Sequence, residues 1–144
     1  MQDLDIAKTE LYEENLTLCI AKNGSVLYKT QSHRISGFIE AISTLGEKLE
    51  GAAMADRVAG KALALLCAYA KIREVYAAVL SRKAQAVFKQ HKISCHWNEL
   101  VDNVLDQNKT GTCPFEKAAA EINDPTVAYK KFKTLLDNMK ACKS

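Results

Sequence analysis

A cysteine at a predicted helix start is the first group in this chain that could do chemistry. Cys113 precedes Pro114, a residue typical of the first helical position, and Glu116 follows three residues later. This spacing is that of a capping box, with a thiol where serine or threonine normally stands. A thiolate at the positive end of a helix would have a lowered pKa. The pattern fits a nucleophile with Glu116 moving protons, but the spacing alone favours a plain helix cap, since most helix starts carry no chemistry.

Three charged residues lie close together in the stretch "MADRVAGK". A helix is predicted over residues 55–72, which places Asp56, Arg57 and Lys61 near its start. Lys61 either extends its stem toward solvent or faces a polar pocket with Asp56 as its neighbour. An ordinary cap and a surface charge explain Asp56 and Arg57 as well. Gly60 costs about 1 kcal/mol inside a helix relative to alanine, so either the helix begins later or something packs closely there.

Ser81 stands where a predicted strand meets a predicted helix. The strand covers residues 73–80 and the helix residues 81–93. Serine is a common N-cap, and its hydroxyl together with the following amides could also receive an anion.

The sequence contains no recognisable metal motif. Neither Cys-x-x-Cys nor His-x-x-x-His occurs, and Cys95 and His96 should point to opposite faces of a strand. His33 and His91 have no partners at ligand spacing. Five cysteines without paired spacing suit reduced thiols. No metal or other cofactor is expected.

The predicted elements alternate between helices and strands. A helix to about Asn15 precedes a hairpin that turns at Asn23-Gly24, and the last helix is capped by Asp124-Pro125. The other predicted elements are helices over 36–51, 55–72, 81–93 and 98–108, a helix after Cys113, and strands over 73–80 and 93–97. The order predicts a single α/β domain over residues 1–144, a three-layer α/β/α sandwich. Its mixed sheet should have an N-terminal antiparallel hairpin and right-handed crossovers.

Composition narrows the classes of partner. The net charge of +3 is small and spread along the chain, which argues against nucleic acid. The longest apolar stretch, residues 62–70, is too short to cross a membrane, and the acidic N-terminus is not that of a signal peptide. We therefore expect a cytoplasmic protein with a small-molecule ligand and no membrane partner.

Three motifs together resemble a small prokaryotic family of uncharacterised proteins with a cytidine-deaminase-like fold. They are "GAAMADRVAGKALALL", "VYAAVLSRKA" and "TGTCPFEKA". The resemblance implies a five-stranded sheet and a pocket between two helix N-termini. Zinc deaminases begin these helices with His/Cys-x-Glu and Pro-Cys-x-x-Cys. The matching places here hold "ADR" at 55–57 and "SRKA" at 81–84, which implies loss of zinc and of hydrolytic deamination.

Two functions of different classes follow from these residues. In the first, a pocket lined by Asp56, Arg57, Lys61 and Ser81 binds a small anionic or nucleotide-like ligand. In the second, Cys113 attacks an electrophilic carbon while Lys61 or Arg57 holds an anion and Glu116 moves protons. A structural subunit that closes a homodimer through its terminal helices is a third hypothesis.

Overall fold

A mixed five-stranded sheet organises the chain, in the order β2-β1-β3-β4-β5. The computed structural model describes residues 2–31, 34–102 and 114–142. The elements are α1 (Asp3–Glu13), β1 (Leu18–Lys22), β2 (Ser25–Thr30), α2 (Arg34–Leu45), a 3₁₀ helix (Gly46–Leu49), β3 (Ala53–Ala59), α3 (Lys61–Ala70), β4 (Glu74–Ser81), α4 (Arg82–Gln90), β5 (Ser94–Val101), α5 (Pro114–Ala119) and α6 (Pro125–Cys142). None of the helices within these ranges combines the length and apolar character needed to cross a bilayer.

The hairpin forms where the Asn-Gly pair predicts it. Asn23 and Gly24 have φ angles of 54° and 81°, the left-handed values that a two-residue type I′ turn requires. The carboxylate of Asp3 accepts hydrogen bonds from both turn amides, at 3.0 Å from Asn23 N and 2.8 Å from Gly24 N. The first turn of α1 is thereby bound to the hairpin.

The second half of the sheet is parallel. β3 pairs with β4 and β4 with β5 in the same direction, so that Ala55, Tyr76 and His96 lie side by side. β1 runs antiparallel to both β2 and β3. The prediction of a mixed sheet flanked by helices is therefore confirmed.

The two faces of the sheet are covered differently. On one side, the α1 face, a small cluster joins Ala7 and Leu11 of α1 to Cys19, Ala55 and Tyr76 of the strands. On the other side, the α3 face, one continuous core includes residues from α2, α3, α4, α5 and α6. Residues 62–67 of α3 are all buried, because α5 and α6 contact the helix that already packs on the sheet.

The predicted helix over residues 55–72 is wrong in its first part. Residues 53–59 form β3, the central strand, and α3 begins only after Gly60, the first of the two explanations that this glycine allowed. Alanine favours helices and is depleted in strands, so the local propensity of this stretch predicts a helix. Paired strands on both edges override the local propensity.

Two other predicted helices also need correction. Residues 98–101 continue β5 and pair with β4, so Asn98 is a strand residue and not a helix cap. Residues 103–108 of that predicted helix lie outside the described residues. The helix predicted over 36–51 is α2 followed by the 3₁₀ turn, because the chain leaves α-helical geometry after Leu45.

Candidate functional site

The carboxyl edge of the parallel strands brings together three of the predicted site residues, Lys61, Ser81 and Glu116. Ala59 at the end of β3 pairs with Leu80 near the end of β4, and a helix begins directly after each strand. Lys61 opens α3, and Ser81 caps α4 at the same edge. Ligands of open α/β sheets characteristically bind at this edge.

Asp56 provides a fully buried carboxylate in β3. Its Oδ1 accepts hydrogen bonds from the backbone of Arg57 at 2.7 Å and of Val58 at 3.4 Å. Burial, and to a smaller extent the charge of Asp56, raises the pKa of the Cys67 thiol in α3. Asp56 therefore lies in the middle of a strand and acts electrostatically on a residue of α3, not at the helix start where it was predicted.

Arg57 faces the opposite side of the sheet, because successive residues of a strand alternate. Its Nε donates to Leu16 O at 2.9 Å, and Nη2 donates to Leu11 O at 3.2 Å and to Asn15 Oδ1 at 3.3 Å. The guanidinium carbon is 4.8 Å from the centre of the Tyr12 ring. These contacts satisfy the carboxyl end of α1, so Arg57 is not brought together with Asp56.

Glu116 and Lys61 join α5 to the start of α3. Glu116 Oε1 accepts a hydrogen bond from Ala62 N at 2.9 Å. Lys61 Nζ lies 3.3 Å from both Ala120 O and Asn123 Oδ1, just beyond α5. A carboxylate of the protein thus occupies one of the amides that an anion would use, while the Lys61 ammonium is bound to groups that follow α5.

Ser81 is a helix cap, as predicted. Its Oγ accepts a hydrogen bond from Ala84 N at 3.0 Å, and the residue is buried. Because the hydroxyl acts there as an acceptor, its own hydrogen is not used in that bond. The next residue, Arg82, forms an exposed ion pair with Asp102 at 2.8 Å.

Cys113, for which thiol chemistry is predicted, lies outside the described residues, as do Thr110, Gly111 and Thr112. Burial raises the pKa of Cys19 to about 11 and also raises the pKa values of Cys67 and Cys95. These three thiols are therefore poor nucleophiles at neutral pH.

Metal-binding residue types are dispersed over the described part of the chain. Nowhere in residues 2–31, 34–102 and 114–142 do three His, Cys, Asp or Glu side chains come together as a metal site. Cys95 packs against the core of the α3 face, whereas His96 Nε2 lies 3.0 Å from Glu74 Oε2. These two neighbours point apart, as the strand predicts.

A tyrosine network on the α1 face, in which Tyr76 is buried and Tyr12 is exposed, was missed by the sequence analysis. The Tyr76 hydroxyl lies 2.6 Å from the Tyr12 hydroxyl and accepts a hydrogen bond from Asn98 Nδ2 at 2.7 Å. Burial, followed by the Tyr12 contact, raises the pKa of Tyr76 to about 12. The tyrosine within the apolar run "VYAAVL" was the available signal of a polar contact. Because Asn98 was predicted to begin a helix, it was not expected to lie beside Tyr76.

Comparison with known proteins gives a family. The family model described as TM1506, a domain of unknown function (DUF1893), matches residues 6–136. A crystal structure of a DUF1893 family protein (TM1506) from Thermotoga maritima has a similar fold, with a TM-score of 0.81 and 23% sequence identity over 93% of this chain and 90% of that chain. Among curated proteins, none matches this chain. The family match covers most of the sequence, and the chain therefore belongs to the DUF1893 family.

Proposed function

We propose that this protein binds a small nucleotide-like ligand at the carboxyl edge of β3 and β4, on a cytidine-deaminase-like scaffold without zinc chemistry. The observation that carries the proposal is the grouping of Lys61, Glu116 and Ser81 at this edge. Asp56 lies buried three residues before the end of β3. The sheet order, with its first strand antiparallel, supports the deaminase-like scaffold.

The charges of this edge suit a ligand with two kinds of polar group. The carboxylate of Glu116, which accepts from Ala62 N, can also accept from N–H donors such as those of a nucleobase, whereas the carboxylate of Asp56 is fully buried. The Lys61 ammonium and the first amides of α4 favour a phosphate. A nucleoside monophosphate carries both groups. Arg57, a ligand-binding candidate from sequence, is left out because it binds the end of α1.

Zinc-dependent deamination is not part of the proposal. The resemblance placed the first of these helix starts at "ADR", but residues 55–57 lie in β3; the helix starts themselves hold Gly60-Lys61-Ala62 and Ser81-Arg82-Lys83, none of which is a zinc-binding residue type. Without a metal-activated water and its partner glutamate, the edge supports binding and leaves hydrolysis unsupported.

Isothermal titration calorimetry with a nucleoside and its monophosphate tests this proposal. We expect Lys61→Gln to weaken binding of the monophosphate about 10-fold, equivalent to about 1.4 kcal/mol, and to leave binding of the nucleoside unchanged. Lys131→Gln, an exposed lysine on α6, is the matched control. The proposal fails if no nucleotide binds, or if the two lysine variants behave alike.

A cysteine-dependent reaction at Cys113 is the second candidate. Its support is the position of Glu116, three residues along the chain, whose carboxylate reaches the start of α3. The Cys113 thiol would give its proton to Glu116 and add to a carbonyl carbon of a small metabolite; the C–S bond forms as the carbonyl π bond opens to an alkoxide, which then takes the proton back from Glu116.

The rate of alkylation by iodoacetamide against pH, read by mass spectrometry, tests this candidate. The raised pKa values of Cys19, Cys67 and Cys95 predict slow reaction of these thiols in the folded protein. We expect one fast thiol with a pKa below the ordinary value of about 8.5, absent in Cys113→Ser and retained in Cys142→Ser. Equal rates in wild type and Cys113→Ser would eliminate the reaction.

A further inference from the structure

A cavity lies where α3 finishes. It has a volume of about 470 Å³, within the range of small-molecule sites. Its walls come from the end of α2, the 3₁₀ helix, the end of α3, and α6. α3 runs from the carboxyl edge of β3 back to the edge where β4 begins, so this cavity and the proposed nucleotide site lie at opposite ends of α3.

The electrostatics of this cavity favour a cation. α2 ends at Leu45 and α3 at Ala70, so two helices direct the negative ends of their dipoles toward it. The carboxylates of Glu47 and Glu50 add to this field. Two lysines oppose this field: Lys71 lines the cavity with its Nζ 3.9 Å from Glu50 in an exposed pair, and Lys133 Nζ lies 2.9 Å from Oγ of Ser43, another lining residue.

One wall of the cavity is aromatic. The rings of Tyr69 and Tyr129 stack with their centres 4.4 Å apart and their planes at 8°. Both residues line the cavity, together with the aliphatic side chains of Ile42 and Ala70. The electron-rich face of a tyrosine ring attracts cations, and the flat pair also offers area for an apolar body.

Hydrogen bonds fix this wall in place. The Tyr129 hydroxyl lies 2.8 Å from Ser43 Oγ, and Lys133 Nζ donates to the same Oγ at 2.9 Å. A ring already held in position loses little conformational freedom when a ligand binds. The wall is therefore preformed.

We propose that this cavity is a second binding site, for a small organic cation that carries an ammonium group on a flat apolar body. The ammonium lies near Glu47 and Glu50, and the apolar body packs on Tyr69 and Tyr129. The site is independent of the nucleotide site, since they share no lining residue.

Titration of the ¹⁵N-labelled protein with 2-phenylethylammonium, monitored by NMR, tests the proposal. The neutral probe 2-phenylethanol has nearly the same size and shape. We expect the cation to shift the amides of Ser43, Gly46 and Glu47, and to bind at least 10-fold more tightly than the alcohol.

Variants that remove a negative charge test whether the cation binds in this cavity. Glu47→Gln combined with Glu50→Gln should weaken binding of the cation about 10-fold and leave binding of the alcohol unchanged. Both residues are exposed, so we expect the double variant to fold. Glu99→Gln, an exposed carboxylate on β5, is the control and should change neither. Equal binding of the two probes, unchanged cation binding in the double variant, or shifts confined to another region would each overturn the site. None of these outcomes bears on nucleotide binding at Lys61.

Discussion

The two faces of the sheet are stabilised in different ways. The α3 face is covered by α3 with α5 and α6 behind it, and its core is apolar and fully buried. The α1 face is covered by one helix that is held by polar groups as well as by a small apolar cluster. Arg57 binds the end of that helix, and the hydroxyls of Tyr12 and Tyr76 meet beneath it.

This difference assigns separate roles to neighbouring residues of β3. Asp56 and Arg57 are adjacent in sequence, yet one lies on the side that acts on α3 and the other on the α1 face. A charge on the thinly covered face completes a structural contact. A charge buried within the thickly covered face, as at Asp56, occupies the kind of position where functional residues are to be sought.

The two layers of helices that cover the α3 face predict the largest effect of a substitution on stability. Phe132 of α6 is fully buried and meets Phe115 of α5 edge-on, with ring centres 5.9 Å apart. Phe132→Ala should lower the free energy of unfolding by about 3–5 kcal/mol, because it leaves a cavity in a closely packed core. Urea denaturation measures this value. A loss below about 1 kcal/mol would show that the outer helices contribute little, and the contrast between the faces would disappear.

The polar attachment of α1 predicts a somewhat smaller effect. Arg57→Ala removes the hydrogen bonds to Leu16, Leu11 and Asn15, and should reduce the free energy of unfolding by about 2–3 kcal/mol. Arg57→Lys should recover little, since an ammonium cannot reproduce the fork of the guanidinium. Full recovery by lysine would mean that charge alone, without geometry, holds the helix.

The tyrosine network makes the α1 face sensitive to alkali. The pKa of Tyr76 is raised to about 12 in the folded protein, against about 10 in an unfolded chain. The stabilisation of the folded state that follows from this pKa difference is complete below pH 10. It is lost as pH rises toward 12, because the unfolded state releases the proton first.

The corresponding test compares wild type with Tyr76→Phe. Between neutral pH and pH 11 the wild type should lose about 1.4 kcal/mol more unfolding free energy than the variant. Chemical denaturation at each pH measures the difference. Parallel pH profiles for the two proteins would exclude a raised pKa at Tyr76.

The cap of α4 predicts the smallest effect. Ser81→Ala should lower the unfolding free energy by about 1 kcal/mol, since Ala84 N loses its buried acceptor. Ser81→Thr keeps a hydroxyl and should restore most of it. If alanine is tolerated without loss, Ser81 serves a purpose other than capping.

Much of the fold was accessible from sequence where local chemistry decides structure. The Asn23-Gly24 turn, the Ser81 cap and the Asp124-Pro125 helix start each follow from one or two residues. Asp124 Oδ1 accepts from Thr126 N at 2.8 Å and Val127 N at 3.2 Å, as the cap requires. These features depend on backbone geometry within a few residues, which a sequence displays directly.

The central strand was not accessible in this way. Its residues are alanine-rich and continue into α3 without a proline, so the local signal is that of one long helix. Pairing with β1 and β4, more than 15 residues away on either side, decides the outcome. The same error moved Asp56 and Arg57 to a helix start, where both seemed to face one pocket. Only the alternation of a strand separates them.

The placement of Asp56 and Arg57 on opposite faces of the sheet also disfavours misaligned pairing of β3. A slip of β3 by one residue against its neighbours would exchange the environments of every side chain it carries. The guanidinium of Arg57 would then lie beneath α3, and the carboxylate of Asp56 would face the carbonyl groups at the end of α1 that now accept hydrogen bonds from arginine. Both placements are electrostatically unfavourable, so a pair of adjacent opposite charges specifies the alignment of a strand whose small alanines would otherwise allow several.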